Sequence, residues 1–342
     1  MEGKHIGWVD SYRYLGVTIV AERNYVREYE EELRAKALSR RAFLGSKALW
    51  AFSRYEVTRE LWKSVVVPAL TFGNAVLLSR SAREAGRMTL GVHGFTPNEA
   101  VQGDLGRSTF EGREAVAKLT YERRLSGLPD GRWAREAYKY VHHKSMRTRW
   151  VARTRWLAER YRVEAVRLAE PLRRDTRQKV REVFRGVETE KWRAESKAKS
   201  ALAVYSEGKA IIVKEGIYDN SKGSGLLCEA RSGVLRTRSL RAKFTAELDT
   251  TCPLCHCVEE TIRHVALECA ALLPAVPCGR KVRRTAAGSS CDEDALSIAL
   301  GFRDAGEAPN WDAVDATKQR LENWWKRQAR QAPRRPPQPD AT

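Results

Sequence analysis

The chain has 342 residues, 42% of them hydrophobic, which suits two or three domains with buried cores of ordinary size. Lys and Arg number 62 against 43 Asp and Glu, a net charge of +19, and a surplus that large points to a polyanionic partner, nucleic acid before an acidic membrane surface. The longer apolar runs, such as Val65 to Leu70 and Cys269 to Leu273, fall far short of the ~20 residues of a membrane span. The opening MEGKHIGWVDSYR has no apolar core of signal-peptide type. A nuclear or cytoplasmic protein is therefore expected, with its seven cysteines as reduced thiols or metal ligands.

In chain order, Ile6, Trp8 and Val9 and then residues 14–20 are β-branched and aromatic around a glycine, predicting a short strand or hairpin. From Asn24 the period becomes helical, with Tyr25, Tyr29, Leu33 and Ala37 four apart. Ser53 and Glu56 form a capping box before a second stripe, Val57, Leu61, Val65, Pro68 and Phe72, which Pro68 should bend or end. Thr96-Pro97-Asn98-Glu99 and Ser108 with Glu111 mark two further helix starts, and Gly127, Pro129, Asp130 and Gly131 break the second helix.

Residues 144–200 carry the sharpest change in composition, 18 Lys and Arg against 8 Asp and Glu. Trp150, Trp156, Tyr161, Phe184 and Trp192 are interleaved with these cations. Arginine beside flat aromatic rings suits phosphates and bases. Arg147, Arg149, Arg153, Arg155, Arg173, Arg174, Arg177, Lys179 and Arg181 are the candidate nucleic-acid contacts. The other reading is a solvated helix whose aromatics pack on a neighbour.

Beyond this stretch, residues 210–213 and 223–227 read as strand or loop, and a late helix runs through Trp311, Val314, Leu321, Trp324 and Trp325. The last residues, APRRPPQPDAT, are proline-rich and basic, the composition of a disordered tail. Glu215, Asp219 and Glu229 surround a GIYDNSKGSG turn. A nuclease would need carboxylates converging from several elements, and one short cluster between glycines is more simply a turn.

Cys252-Pro-Leu-Cys255, His264 and Cys269 form C-x2-C-x8-H-x4-C. Three thiolates and one imidazole are the ligand set of a closed, structural Zn²⁺ site, one ion per chain. Pro253 favours the tight turn that would join the first pair. On an unbroken helix Cys269 would lie roughly 140° round from His264, so the helix is expected to loosen before Cys269. His256 and Cys257 lie close enough to compete as ligands. Cys228, Cys278 and Cys291 have no such spacing, and adjacent His142 and His143 would face apart on a helix.

Tyr12-Arg13-Tyr14-Leu15-Gly16-Val17 resembles the segment after the catalytic palm in reverse transcriptases of non-LTR (LINE-type) retrotransposons, with Tyr14, Leu15 and Gly16 as the motif. The VVVPALTFG and REAGRMTLG segments look like the thumb and the helical region after it, and CPLCHCVEETIRHVALEC is similar to the C-terminal zinc knuckle of those polyproteins. The likeness extends to the retrotransposon sequences abundant in tick genomes and covers roughly residues 6–275.

The resemblance implies a mainly α fold with short β elements, a thumb-like region and a small CCHC zinc module. Its divisions would be a post-palm and thumb-like region (1–80), a helical region (81–143), a basic helical linker (144–200), short strands and loops (201–245), the knuckle (246–275) and a C-terminal helix with tail (276–342). Polymerisation needs paired metal-binding aspartates, which the family carries in an aromatic-x-Asp-Asp turn upstream of the YLG segment. The chain contains no Asp-Asp pair. The expected function is noncatalytic binding of RNA or DNA with weak sequence preference. The alternative is an interaction scaffold anchored by Trp311, Trp324 and Trp325.

Overall fold

The computed structural model describes residues 9–14, 17–20, 25–49, 53–71, 87, 89–144, 146, 148–163, 174–277, 291–303 and 307–331. These are mainly helical, with one small sheet. The elements in order are β1 (Ser11–Tyr14), β2 (Val17–Val20), α1 (Tyr25–Leu49), α2 (Arg54–Leu61), a π-turn (Trp62–Val66) and α3 (Val67–Thr71). Then come α4 (Asn98–Leu105), α5 (Phe110–Ser126), α6 (Trp133–His143), α7 (Arg149–Arg160), α8 (Arg174–Lys197) and α9 (Ala203–Gly208). The order closes with α10 (Lys222–Arg231), α11 (Arg238–Ala242), a π-turn (His264–Glu268), α12 (Cys291–Ala299) and α13 (Trp311–Gln331). Two compact units divide the chain: residues 1–51, 56–85 and 107–192 form one, and 52–55, 86–106 and 193–342 the other.

In the first unit β1 and β2 pair antiparallel with Tyr14 opposite Val17, the hairpin expected from the β-branched run at Val17–Val20. The motif residues Leu15 and Gly16 between them lie outside the described residues. Pro68 does not end its helix. It has no N–H and would crowd the preceding turn, and the turn just before it widens, with Val67 N–H reaching the carbonyl of Trp62. The cap of α5 falls on Thr109, one residue after the expected Ser108: its Oγ1 accepts the Gly112 N–H at 2.9 Å. Thr109 is chosen because Glu188 of α8 accepts both its hydroxyl (2.6 Å) and its N–H (2.9 Å). A side chain at position 112 would collide with that carboxylate, so the glycine admits the tie between α5 and α8. Around it Ala115, Leu119, Leu157, Ala158, Tyr161, Val163 and Phe184 form the core of α5, α7 and α8.

In the second unit, residues 210–213 are not a strand. No partner strand is present among the described residues, and Ile211 and Val213 stay exposed. Residues 223–227 are helical, within α10, which starts at the Ser221 cap (Ser224 N–H to Ser221 Oγ, 3.0 Å). The two glycines that suggested a loop serve packing instead. A Cβ on Gly223 would collide with the Lys318 carbonyl of α13, and one on Gly225 would sit 2.7 Å from the Gly91 carbonyl oxygen, so α10 lies close against both. Thr96 does not cap α4; its buried hydroxyl has no hydrogen-bond partner, and the helix begins at Asn98 after Pro97. Asn310 caps α13, accepting the Ala313 N–H at 3.1 Å, and the predicted late helix runs as expected.

A charged knot fixes this unit from inside. Asp104, fully buried, meets Arg231 (3.3 Å), Lys209 (3.7 Å) and the hydroxyls of Tyr205 (2.8 Å) and Tyr218. Burial opposes ionisation of Asp104, but Arg231 and Lys209 with the two phenols hold its carboxyl below the usual range. Arg231 completes its fork on the Leu300 carbonyl at 2.6 Å. Among the described residues, replacing Asp104 would leave the buried Arg231 and Lys209 with only Glu215 to share.

Candidate metal centre

Residues 250–260 turn back on themselves through a Thr251–Glu259 bridge, with the Cys252 N–H on the Val258 carbonyl (2.8 Å) and the His256 N–H on the Cys252 carbonyl (2.9 Å). His256 takes a positive φ of 56° to close this turn. The turn brings Cys255 alongside Cys252. The other two ligands come from the segment starting at Thr261, whose Oγ1 accepts the His264 N–H at 3.0 Å.

The expected loosening of that helix is a π-turn. The Cys269 N–H reaches the His264 carbonyl, five residues back, at 2.8 Å. Cys269 itself is extended, at φ −60° and ψ 109°. The wider turn and the extended residue carry the thiol round to the face of His264.

The four candidate atoms lie within 4.8 Å of one another. Cys252 Sγ and Cys269 Sγ are 3.9 Å apart, and Cys255 Sγ and His264 Nε2 are 3.3 Å apart. A tetrahedral zinc with Zn–S of about 2.3 Å and Zn–N of about 2.0 Å requires S···S edges near ~3.8 Å and S···N edges near ~3.5 Å. These two pairs match those edges, and the four residues could hold the ion. Cys252, Cys269 and His264 are buried and Cys255 is partly covered. His264 presents Nε2 to the cluster, while its Nδ1 lies 3.9 Å from Glu268 Oε2. Cys257 is exposed, its thiol donating to the Cys255 carbonyl at 3.0 Å, and His256 is exposed. Neither joins the cluster.

Without a cation, burial pushes the Cys252 thiol up to about 11 and raises Cys269. Cys255 is held below the usual thiol value, chiefly by the backbone N–H of Cys257. Burial lowers the pKa of His264, which favours the neutral ring a ligand needs. A divalent ion here would displace the thiol protons, so binding should tighten as pH rises.

Sequence reasoning missed Arg320. From α13 its guanidinium donates to the carbonyls of Val265 (2.8 Å), Cys269 (2.6 Å), Leu272 and Pro274 (3.3 Å), at 2% exposure. It ties the π-turn to the late helix and sets a cation beside what would be three thiolates. Nothing distinguishes this arginine in a sequence that holds so many.

The basic candidates divide. Arg149 and Arg155 are exposed on α7 and Arg181 on α8. Arg153 turns inward: its Nε and Nη2 form a fork on the buried Glu114 at 3.2 and 2.8 Å. Its guanidinium also lies 4.4 Å from the Trp156 ring centre. Arg174, Arg177 and Lys179 lie on α8, with their side chains outside the described residues, as Arg147 and Arg173 are entirely. Of the interleaved aromatics, Tyr161, Phe184 and Trp192 are buried. Trp156 is half-exposed between Arg153 and Arg160, whose guanidinium lies 4.9 Å from its ring centre.

The three carboxylates around the GIYDNSKGSG turn are held apart by separate partners: Glu215 by Lys209 and Arg231, Asp219 by Lys318, and Glu229 by His93. Among the described residues, no helix is long and apolar enough to cross a membrane. No known family, no curated protein and no solved structure matches the chain.

Proposed function

We propose that the chain is a noncatalytic nucleic-acid-binding part of a non-LTR retrotransposon reverse-transcriptase polyprotein, clamped by one structural Zn²⁺ on Cys252, Cys255, His264 and Cys269. The observation that carries this reading is the Cys/His cluster: four possible ligand atoms within 4.8 Å of one another, from the C-x2-C-x8-H-x4-C segment that resembles the family's zinc knuckle. With four protein ligands and no open position, the metal would act in folding and not in chemistry. The +19 charge and the exposed Arg149, Arg155 and Arg181 suit phosphate contacts, which position a nucleic acid without reading its sequence. The lack of an Asp-Asp pair and the separately paired Glu215, Asp219 and Glu229 argue against polymerase or nuclease chemistry.

The test is fluorescence anisotropy of zinc-loaded protein with labelled RNA and DNA oligonucleotides across a salt series, beside primer extension and hybrid cleavage with Mg²⁺ or Mn²⁺. Affinity should fall as a power of salt concentration, with about 0.7–0.9 counterion released per phosphate, and no turnover should exceed background. Activity that survives purification and disappears on mutating a carboxylate would refute the noncatalytic reading. A second reading, a protein scaffold anchored through α13, is favoured by the half-exposed Trp311 and Trp325; Trp324 is buried. It predicts binding that changes little with salt.

A further inference from the structure

Beside the knuckle, the second unit has a groove of about 710 Å³, walled by α10, α11, the Cys252–Cys255 turn at Pro253 and the end of α13. Four cations line it, Lys222, Arg236, Arg238 and Arg241. Among the described residues no carboxylate comes within ion-pair distance of Lys222, Arg236 or Arg241, all exposed. Arg238 is partly taken by Asp249 at 3.4 Å. One carboxylate also lines the groove, Glu229, which accepts the His93 N–H at 3.2 Å and is outnumbered by the four cations; Glu260 accepts the Arg238 N–H and the Gln328 amide at 2.9 Å. The groove is therefore electropositive.

Its rings are placed among those charges. Trp325 is 43% exposed, with the Lys222 ammonium 5.2 Å from its ring centre. Outside the lining itself, the Arg236 guanidinium lies 5.8 Å from the ring of Phe95, which is 79% exposed. Trp324 also lines the groove at 3% exposure, and its indole N–H is buried without an acceptor.

We propose that this groove binds single-stranded nucleic acid, with backbone phosphates on Lys222, Arg236 and Arg241 and an unpaired base stacked on Trp325. The proposal rests on the nucleic-acid reading above and moves the principal contact from the basic helices to the second unit. The concave shape decides between strands. A duplex offers a convex rod with its bases already stacked inside, whereas a single strand offers a flexible chain of phosphates and free base faces. An acidic peptide could satisfy the cations and pack an apolar side chain on Trp325, but a single strand brings a flat ring together with every phosphate.

The test uses the full zinc-loaded chain and fluorescein-labelled (dT)₁₂, U₁₂ and a hairpin duplex in anisotropy titrations, with poly-glutamate as competitor. Zinc content and circular dichroism confirm folding; the substituted residues are exposed. Arg236→Gln with Arg241→Gln should weaken single-strand binding about tenfold or more and flatten the salt slope by roughly 1.4, at ~0.7 per phosphate. Trp325→Ala should weaken it by roughly 5- to 100-fold at every salt concentration without changing the slope, and Trp325→Phe should restore most of the loss. The duplex should bind less tightly and respond little to Trp325→Ala. If the groove variants bind like wild type while Arg149→Gln, Arg155→Gln and Arg181→Gln together abolish binding, the groove is not the site and the nucleic-acid function stands. If wild type binds no oligonucleotide, that function itself fails. Poly-glutamate binding that depends on Trp325, without oligonucleotide binding, would make the groove a peptide site and overturn the proposal.

Discussion

Replacing Arg320 by Met keeps most of the side-chain volume in α13 and removes the fork that holds the knuckle's carbonyls. The Val265, Cys269 and Leu272 oxygens lose their donor in a site that is 2% exposed at Arg320. Each hydrogen bond to a charged donor is worth ~1.5–3 kcal/mol, and a buried acceptor left bare costs ~1–3 kcal/mol. Against this, burying a guanidinium carries its own penalty, which methionine does not. The balance is a loss of about 3–5 kcal/mol. Because folding of a small metal module and metal binding are one equilibrium, this should appear as roughly 150- to 4,000-fold weaker zinc affinity in chelator competition. Arg320→Lys should recover only part of it, since one ammonium cannot reach carbonyls in three directions. Zinc affinity in Arg320→Met within threefold of wild type would show that the carbonyls find other partners and would refute the reasoning.

Cys255→Ala should leave the purified protein without its zinc and unfold residues 246–275 while the helices of the first unit persist, and Cys257→Ala should keep one zinc per chain; elemental analysis with circular dichroism decides, and the reverse pattern would overturn the ligand set. Lys118, fully covered beside Glu114, has its ammonium pushed down to about 8, first by burial and then by Arg153. A depressed lysine binds fewer protons folded than unfolded, so its cost is fully present below pH 8 and is relieved as pH rises from about 8 to 10.5. Lys118→Met should therefore stabilise the first unit by up to about 3 kcal/mol at pH 7. The advantage should shrink towards pH 10, as followed by urea unfolding at several pH values; one that grows with pH would reverse the assigned sign.

Local signals were enough to place the long helices: four-residue spacing for α1 and α13, capping residues for the start of α5, and a charged, helix-forming composition for α8. The candidate metal ligands were equally legible, since thiolate and imidazole chemistry is carried by residue type, and the 140° misfit between His264 and Cys269 foretold a break that the π-turn supplies. Glycine was the misleading signal. Gly223 and Gly225 have the composition of a loop, yet their missing side chains let α10 lie against Lys318 and Gly91, a reason that exists only once those partners are in place. Ile211 and Val213 look like strand residues, but a strand needs a partner ladder that local sequence cannot provide. Charge was the least legible property. Local sequence makes Arg153, Arg231, Arg236 and Arg320 equivalent cations. Tertiary packing puts Arg153 on Glu114, Arg231 on Asp104 and Arg320 on the knuckle's carbonyls, and leaves Arg236 facing solvent. Electrostatic roles depend on distance and burial, and both are set by residues far away in the chain.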